Sequence, residues 1–241
     1  MAREVLIPGA SGLTYAVGDV HGRLDLVERA FDRIAAHAGA RPHRMVMLGD
    51  YVDRGPESAG VIAFLMRRQA QADVVCLKGN HEDMMLRALA GEDGALRSWL
   101  ANGGVETLLS YGVRAYGDIE RAVLDAHLDW LAALPLIAAD PHRIYVHAGL
   151  APDVPLRQQD EATLLWIRGP FLRAPAGAFE AHVVHGHTPL WDEKPEPAEP
   201  ELLAHRTNLD TGAYFTGVLT VGVFDPAEPG GPTEVLQVSE T

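Results

Sequence analysis

The stretch Gly49-Asp50-Tyr51-Val52-Asp53-Arg54-Gly55 follows the apolar run Met45-Val46-Met47-Leu48. Such a run reads as a buried strand of a parallel sheet, and open α/β sheets bind ligands at the carboxyl ends of those strands. The turn crowds two carboxylates, Asp50 and Asp53, beside one guanidinium, Arg54. Buried together without a cation, the carboxylates would repel each other in a low-dielectric surrounding. A bound metal removes that repulsion, and Arg54 offers a donor fork to an anionic ligand. Standing alone, the segment has a salt-bridged turn as its lesser reading, and its neighbours weigh further against that.

Working outward, Leu13 to Val17 reads as a strand running into Gly18-Asp19-Val20-His21-Gly22, and Leu24 to Ala38 carries apolar residues at helical spacing. A helix is expected from about Glu57 to Gln71, opened by Pro56. A third strand, Val74 to Leu77, ends in Lys78-Gly79-Asn80-His81-Glu82, after which a helix resumes through Met84 and Met85. Three successive β-loop-α units predict a parallel sheet with its site at one edge. From Gly91 to about Trp130 the pattern changes to short helical pieces around Asn102-Gly103-Gly104, which reads as a helical insert capping the site. The strand-then-loop pattern returns in Ile144 to Leu150 and in Val183 to Thr188. The remainder (Arg206 to Tyr214, Val218 to Phe224, Glu234 to Val238) alternates like antiparallel strands. One domain over 1–241 is expected, an α/β fold of two mixed sheets with an insert at about 91–132. The acidic, proline-rich Asp192 to Glu201 reads as an exposed loop that could steer substrate.

Bulk composition narrows the classes. A net charge of -13 argues against a general nucleic-acid surface. The single cysteine, Cys76, excludes an intrachain disulfide and a thiolate metal cluster. No run approaches a membrane span, and the apolar run near the N-terminus is too short for a secretory leader, so a cytoplasmic location without membrane partners is expected.

Five motifs, GDVHG, GDYVDRG, GNHE, VHAGL and HGHT, each sit at the end of an expected strand. Asp19 and His21, two apart, would point the same way in an extended backbone and suit one metal. Asp50 is placed to bridge two metals. Asn80, His147 and one histidine of HGHT could complete a second site. With no sulfur, the set suits manganese, iron or zinc. Glu82 reads as a hydrogen-bonding support, Cys76 and the Met84–Met85 pair as core, and Tyr51 as packing or a substrate contact. His37, His43, His127, His142, His182 and His205 read as ordinary structure.

In this order the motifs resemble the PPP-type metallophosphatases, in particular their short bacterial, lambda-phosphatase-like serine/threonine branch. Asn102-Gly103-Gly104, Ser110-Tyr111-Gly112 and Leu209-Asp210-Thr211-Gly212-Ala213 extend the likeness over nearly the whole chain. The resemblance implies a calcineurin-like αββα sandwich and two divalent cations, Mn2+ foremost. It assigns Asp19, His21 and Asp50 to one ion and Asp50, Asn80, His147 and His187 to the other, with His185 the alternative to His187. It makes His81 the catalytic histidine, Asp53 its partner, and Arg54 and Arg168 phosphate binders, with Arg157 the fallback for Arg168.

The chemistry fits those roles. Two cations, about 3.5–4 Å apart in such sites, lower the pKa of a bridging water so that hydroxide can attack phosphorus. His81 would then protonate the leaving alkoxide. The expected activity is hydrolysis of phosphoserine and phosphothreonine in proteins or peptides. A hydrolase of diadenosine tetraphosphate or another small phosphoester is the alternative, and a catalytically inactive phosphoprotein-binding scaffold is a third, less favoured reading. Phosphotyrosine activity and the oligomeric state are left open.

Overall fold

The computed structural model describes residues 4–6, 12–113, 121–189 and 198–240. Its architecture follows from period-2 burial along the strands. In β2 (Leu13–Val17) and β3 (His43–Met47), Tyr15, Val17, Met45 and Met47 face one way, and Ala16, Val46 and Leu48 the other. Both faces are buried, which requires a layer on each side.

With β1 (Glu4–Leu6), β4 (Val74–Cys76), β5 (Ile137–Ala139), β6 (Arg143–Val146), β7 (His182–His185), β8 (Glu201–Leu202), β9 (Arg206–Asn208), β10 (Val218–Phe224) and β11 (Glu234–Ser239), the strands form two mixed sheets. Their orders are β11-β10-β2-β3-β4 and β1-β5-β6-β7-β9-β8. Between them lie Ala16, Val46, Leu48, Tyr145, Val184 and Phe224. The opposite face of the first sheet packs on α1 (Leu24–Ala38), α2 (Ser58–Gln69) and α3 (Asn80–Leu89). The second sheet packs on α7 (Glu161–Trp166) and α8 (Gly169–Leu172). The α1 stripe Leu26, Val27, Ala30, Phe31, Ile34 and Ala38 is the apolar face that its spacing predicts. The expected αββα sandwich of mixed sheets is the fold.

Three local expectations need correction. The GNHE segment is not a loop, because α3 begins at Asn80 and places Asn80 and His81 on its first turn. The Arg206 segment is not wholly antiparallel: β9 pairs parallel with β7 and antiparallel with β8. Glu201, expected at the end of an exposed loop, pairs with Asn208. The rest of that acidic loop lies mostly outside the described residues, as do 114–120 of the insert and most of the N-terminal segment. The described insert comprises α4 (Ala95–Trp99), a kinked turn (Leu100–Gly104), α5 (Val105–Ser110) and α6 (Arg121–Ala133). A last short helix, α9 (Ala213–Thr216), follows β9. Among the described residues no helix is long and apolar enough to cross a membrane.

Candidate active site

The expected site residues converge where the two sheets meet, at the carboxyl ends of β2, β3 and β4 in one sheet and β6 and β7 in the other. The backbone there is contorted. His21, Asp50, Asp53, Arg54 and His187 all have positive φ, from 46° to 73°. Non-glycine residues in this region cost on the order of 1–3 kcal/mol each and persist where the surroundings over-determine them, as at functional sites. Asp19 and His21 therefore converge through a turn, not through the extended spacing expected from the sequence. Gly186 has to be glycine, since a Cβ there would lie 2.0 Å from Asp19 Oδ1. Its neighbour's amide, His187 N, donates to both Asp19 oxygens at 3.2 and 3.0 Å.

Two groups share the Asp50 carboxylate: His21, Asp50 and His81, and Asp50, His147 and His187. In each group one candidate ligand atom per residue lies within 4.8 Å of the others. Hydrogen bonds fix which nitrogens face inward. His21 Nδ1 donates to Val52 O at 2.9 Å, His147 Nδ1 to Leu48 O at 2.9 Å, and His81 Nδ1 to Asp53 Oδ2 at 2.7 Å. The Nε2 of each ring then faces the cluster, and in His21 and His147, whose pKa values burial lowers, it carries a bare lone pair. These nitrogens lie 3.5, 3.4 and 3.9 Å from the Asp50 oxygens.

His147 Nε2 also lies 2.9 Å from Asn80 Oδ1. Burial lowers the His147 pKa, so that ring is neutral and the contact sets one lone pair against another. A cation resolves such a contact. His187 Nδ1 reaches the same oxygen at 2.8 Å, and its buried Nε2 has no hydrogen-bond partner. The oxygen and imidazole donors therefore suit divalent cations: His21, Asp50, His147 and His187 fall in these groups and Asn80 touches both histidines of the second, while Asp19 accepts from His187 N outside them and His81 joins the first group.

The electrostatics agree. Burial pushes Asp19 well above the usual carboxylate range, reinforced by the charges of Asp210 and Asp50. Burial acts the same way on Asp50, but His147, His81, His21 and His187 outweigh it and hold its pKa low. Burial depresses His187 to about 2 and His185 to about 3. Glu82, as expected, is a support. Its two oxygens accept from the amides of Asp50, Tyr51, Val52 and Gly79 at 2.7–3.3 Å. Tyr51 is fully buried and donates to Leu77 O at 2.6 Å, so it packs and does not face substrate.

His185 turns away from the cluster. It is fully buried, its Nε2 meets Arg206 Nη1 at 3.3 Å, and its ring packs edge-on against Phe171. Arg54 donates to His21 Nε2 at 2.8 Å and lies over the Tyr214 ring. Arg168 is exposed and donates to Thr188 Oγ1 at 3.2 Å, next to His187, and Arg157 sits on an exposed turn at Leu156–Gln158. Beside the cluster, Met84, Arg87, Ser98 and Trp166 line a groove of about 360 Å³. Trp166 is 43% exposed, and its ring lies edge-on to His187.

Three site neighbours carried no role in the sequence reading. Asp210 is buried and shares a hydrogen bond with Asp19; burial first, then the Asp50 charge, raises it to about 6. Its Leu-Asp-Thr-Gly context marked it only as a likeness. Trp99 and Thr107 reach Asp53 from the insert, and no local pattern announces that contact.

Comparison with known proteins agrees with this geometry. Over 210 residues the chain is 28% identical to the serine/threonine-protein phosphatase 1 of Salmonella typhimurium, covering 86% of this chain and 89% of that one. It is 30% identical over 138 residues to a symmetrical bis(5'-nucleosyl)-tetraphosphatase of Neisseria gonorrhoeae, covering 57% of this chain and 44% of that relative. The fold matches a Saccharomyces cerevisiae protein serine/threonine phosphatase at TM-score 0.62 and 16% identity, over 100% of this chain and 84% of the other. Residues 13–217 match the model of the calcineurin-like phosphoesterases, whose members use a dinuclear divalent metal site. The chain belongs to that family and is a hydrolase of the phosphatase type.

Proposed function

We propose that this phosphatase hydrolyses phosphoserine and phosphothreonine monoesters in proteins or peptides. The observation that carries the reading is the buried His81–Asp53 pair, 2.7 Å apart, with His81 Nε2 turned toward Asp50. An alkoxide leaves poorly without a proton, and an imidazole held this way by a carboxylate is built to deliver one. Two divalent cations, held by Asp19, His21 and Asp50 and by Asp50, Asn80, His147 and His187, would supply Lewis acidity and an activated water. Arg54 and Arg168 would neutralise the phosphoryl oxygens, and Arg54 would exchange His21 Nε2 for phosphate once that nitrogen is engaged. His81 would give its Nε2 proton to the departing serine or threonine oxygen, while Asp53 stabilises the ring as it changes charge. The length of the Salmonella match supports a phosphoprotein substrate.

A second reading has its own support. Trp166 beside the cluster offers a stacking face for a base, and the tetraphosphatase match runs at 30% identity. The test is kcat/KM of the Mn2+-loaded protein on a phosphoserine peptide and on diadenosine tetraphosphate, each with an EDTA control. Preference for the peptide is expected. Preference for the dinucleotide would move the enzyme to nucleotide hydrolysis with the same residue roles, and no metal-dependent turnover of either would revive a binding role.

A further inference from the structure

The Asp53–Arg54 turn is strained at two consecutive residues, with φ of 73° and 70°. Backbone of this kind needs external support, and here one segment of the insert supplies much of it. Trp99 Nε1 donates to both Asp53 oxygens, at 2.9 and 3.0 Å. The Thr107 hydroxyl donates to Asp53 Oδ1 at 2.7 Å, and its oxygen lies 2.9 Å from Asp53 N. Gly103 O accepts from Arg54 N at 3.1 Å. Trp99, Thr107 and Asp53 are all fully buried, so water does not substitute for these bonds.

The break in the insert makes the grip possible. In an unbroken α-helix, residues eight apart lie about 80° out of line around the axis. The chain breaks that helix at Gly103, with φ 106° and ψ 9°, and Trp99 and Thr107 reach Asp53 from the two sides of the kink.

We propose that the segment Trp99–Thr107 is a positioning clamp for the His81–Asp53 pair. The indole and hydroxyl donors fix the Asp53 carboxylate as an acceptor, with Thr107 on Oδ1 and the indole across both oxygens, so that Oδ2 is aimed at His81 Nδ1–H. With the tautomer and ring orientation set, His81 Nε2 faces the leaving oxygen. Trp99 and Thr107 touch neither substrate nor metal, so they act only through Asp53. The proposal rests on the general-acid reading of His81.

The test compares Thr107→Val, Thr107→Ser, Trp99→Phe and His81→Asn on phenyl phosphate and on p-nitrophenyl phosphate. The first leaving group needs a proton far more than the second, and the pair works whichever physiological substrate is right. Thr107→Val keeps the shape and removes the hydroxyl, so the test does not depend on Trp99→Phe folding well. Thr107→Val and Trp99→Phe are expected to lower kcat on phenyl phosphate about tenfold or more, part of the 10²–10⁴ that general acids contribute, with p-nitrophenyl phosphate little changed. Metal content should stay at the parent level, and Thr107→Ser should restore the rate. If His81→Asn discriminates between the substrates and the clamp variants do not, the clamp is overturned alone. If His81→Asn slows both equally, the general-acid reading falls and takes the clamp with it.

Discussion

The two histidines of His185-Gly186-His187 show how single residues set this site. Two apart on a regular strand, they would share a face. His185 ends β7 in strand geometry, but His187 has φ 68°, and that reversal sends the two rings in different directions. One lies against Arg206 and Phe171, and the other reaches Asn80 Oδ1. Loss of His187 should therefore be felt by the metal, and loss of His185 by the fold. His187→Asn is expected to weaken Mn2+ binding more than about tenfold, the level typical for losing even an indirect partner. The Tm of its metal-free form should change little. His185→Gln should bind Mn2+ with near-parent affinity but melt at a lower temperature without metal, because a buried contact to Arg206 is disturbed. Calorimetric titration with Mn2+ and thermal melts of both apo proteins would decide it. The reverse pattern would make His185 the ligand.

At the scale of elements, the strands and the α1 stripe were legible because burial imposes periods that a single segment carries by itself. The positions of the strand-end motifs were legible for the same reason. The work of the insert was not. Its helical character shows in the scarcity of β-branched residues, but Trp99 meets Asp53 across 46 residues and Thr107 across 54. Only tertiary packing brings them together. Asn102-Gly103-Gly104 was visible as a break, yet its purpose depends on what docks there. At Gly103, φ is 106°, and a Cβ would lie 2.7 Å from Arg54 N and 2.8 Å from Arg54 Cγ. Gly103→Ala must therefore push the Arg54 arm or unwind the turn. Since a hydrogen bond to a charged group is worth about 1.5–3 kcal/mol, misplacing Arg54 should raise the inhibition constant of inorganic phosphate roughly tenfold or more. Competitive inhibition of p-nitrophenyl phosphate turnover measures this directly. An unchanged constant would mean that Arg54 is held without the insert, or that phosphate does not use it.

Over the whole molecule, the site joins the two sheets. Asp19, His21 and Asp50 follow strands of one, His147 and His187 strands of the other, and Asn80 opens α3 directly after β4 of the first. A cation held across that seam should stabilise the fold in a pH-dependent way. Asp19 is raised well above its ordinary value, and Asp210 is raised to about 6. A carboxyl with a raised folded-state pKa contributes its stability below the usual carboxylate range and loses it as pH climbs through the raised value. The metal-free protein should thus weaken on Asp210 as pH climbs from about 4 through about 6, and Asp19 acts in the same direction. A divalent cation competes with the proton on Asp19 and, through their shared hydrogen bond, with that on Asp210, so its affinity grows as pH rises. His187, depressed to about 2, is already neutral there and does not oppose the trend. At pH 7.5, Mn2+ at 100 times its dissociation constant should add about 2.7 kcal/mol, or roughly 5–10 °C of Tm for a chain of this size. At the same concentration the gain should shrink clearly at pH 5.5. Differential scanning calorimetry with Mn2+ and with EDTA at the two pH values gives the difference directly. An equal gain at both would mean that Asp19 and Asp210 do not exchange protons for metal, and that the cation is held by groups already ionised in the acid range.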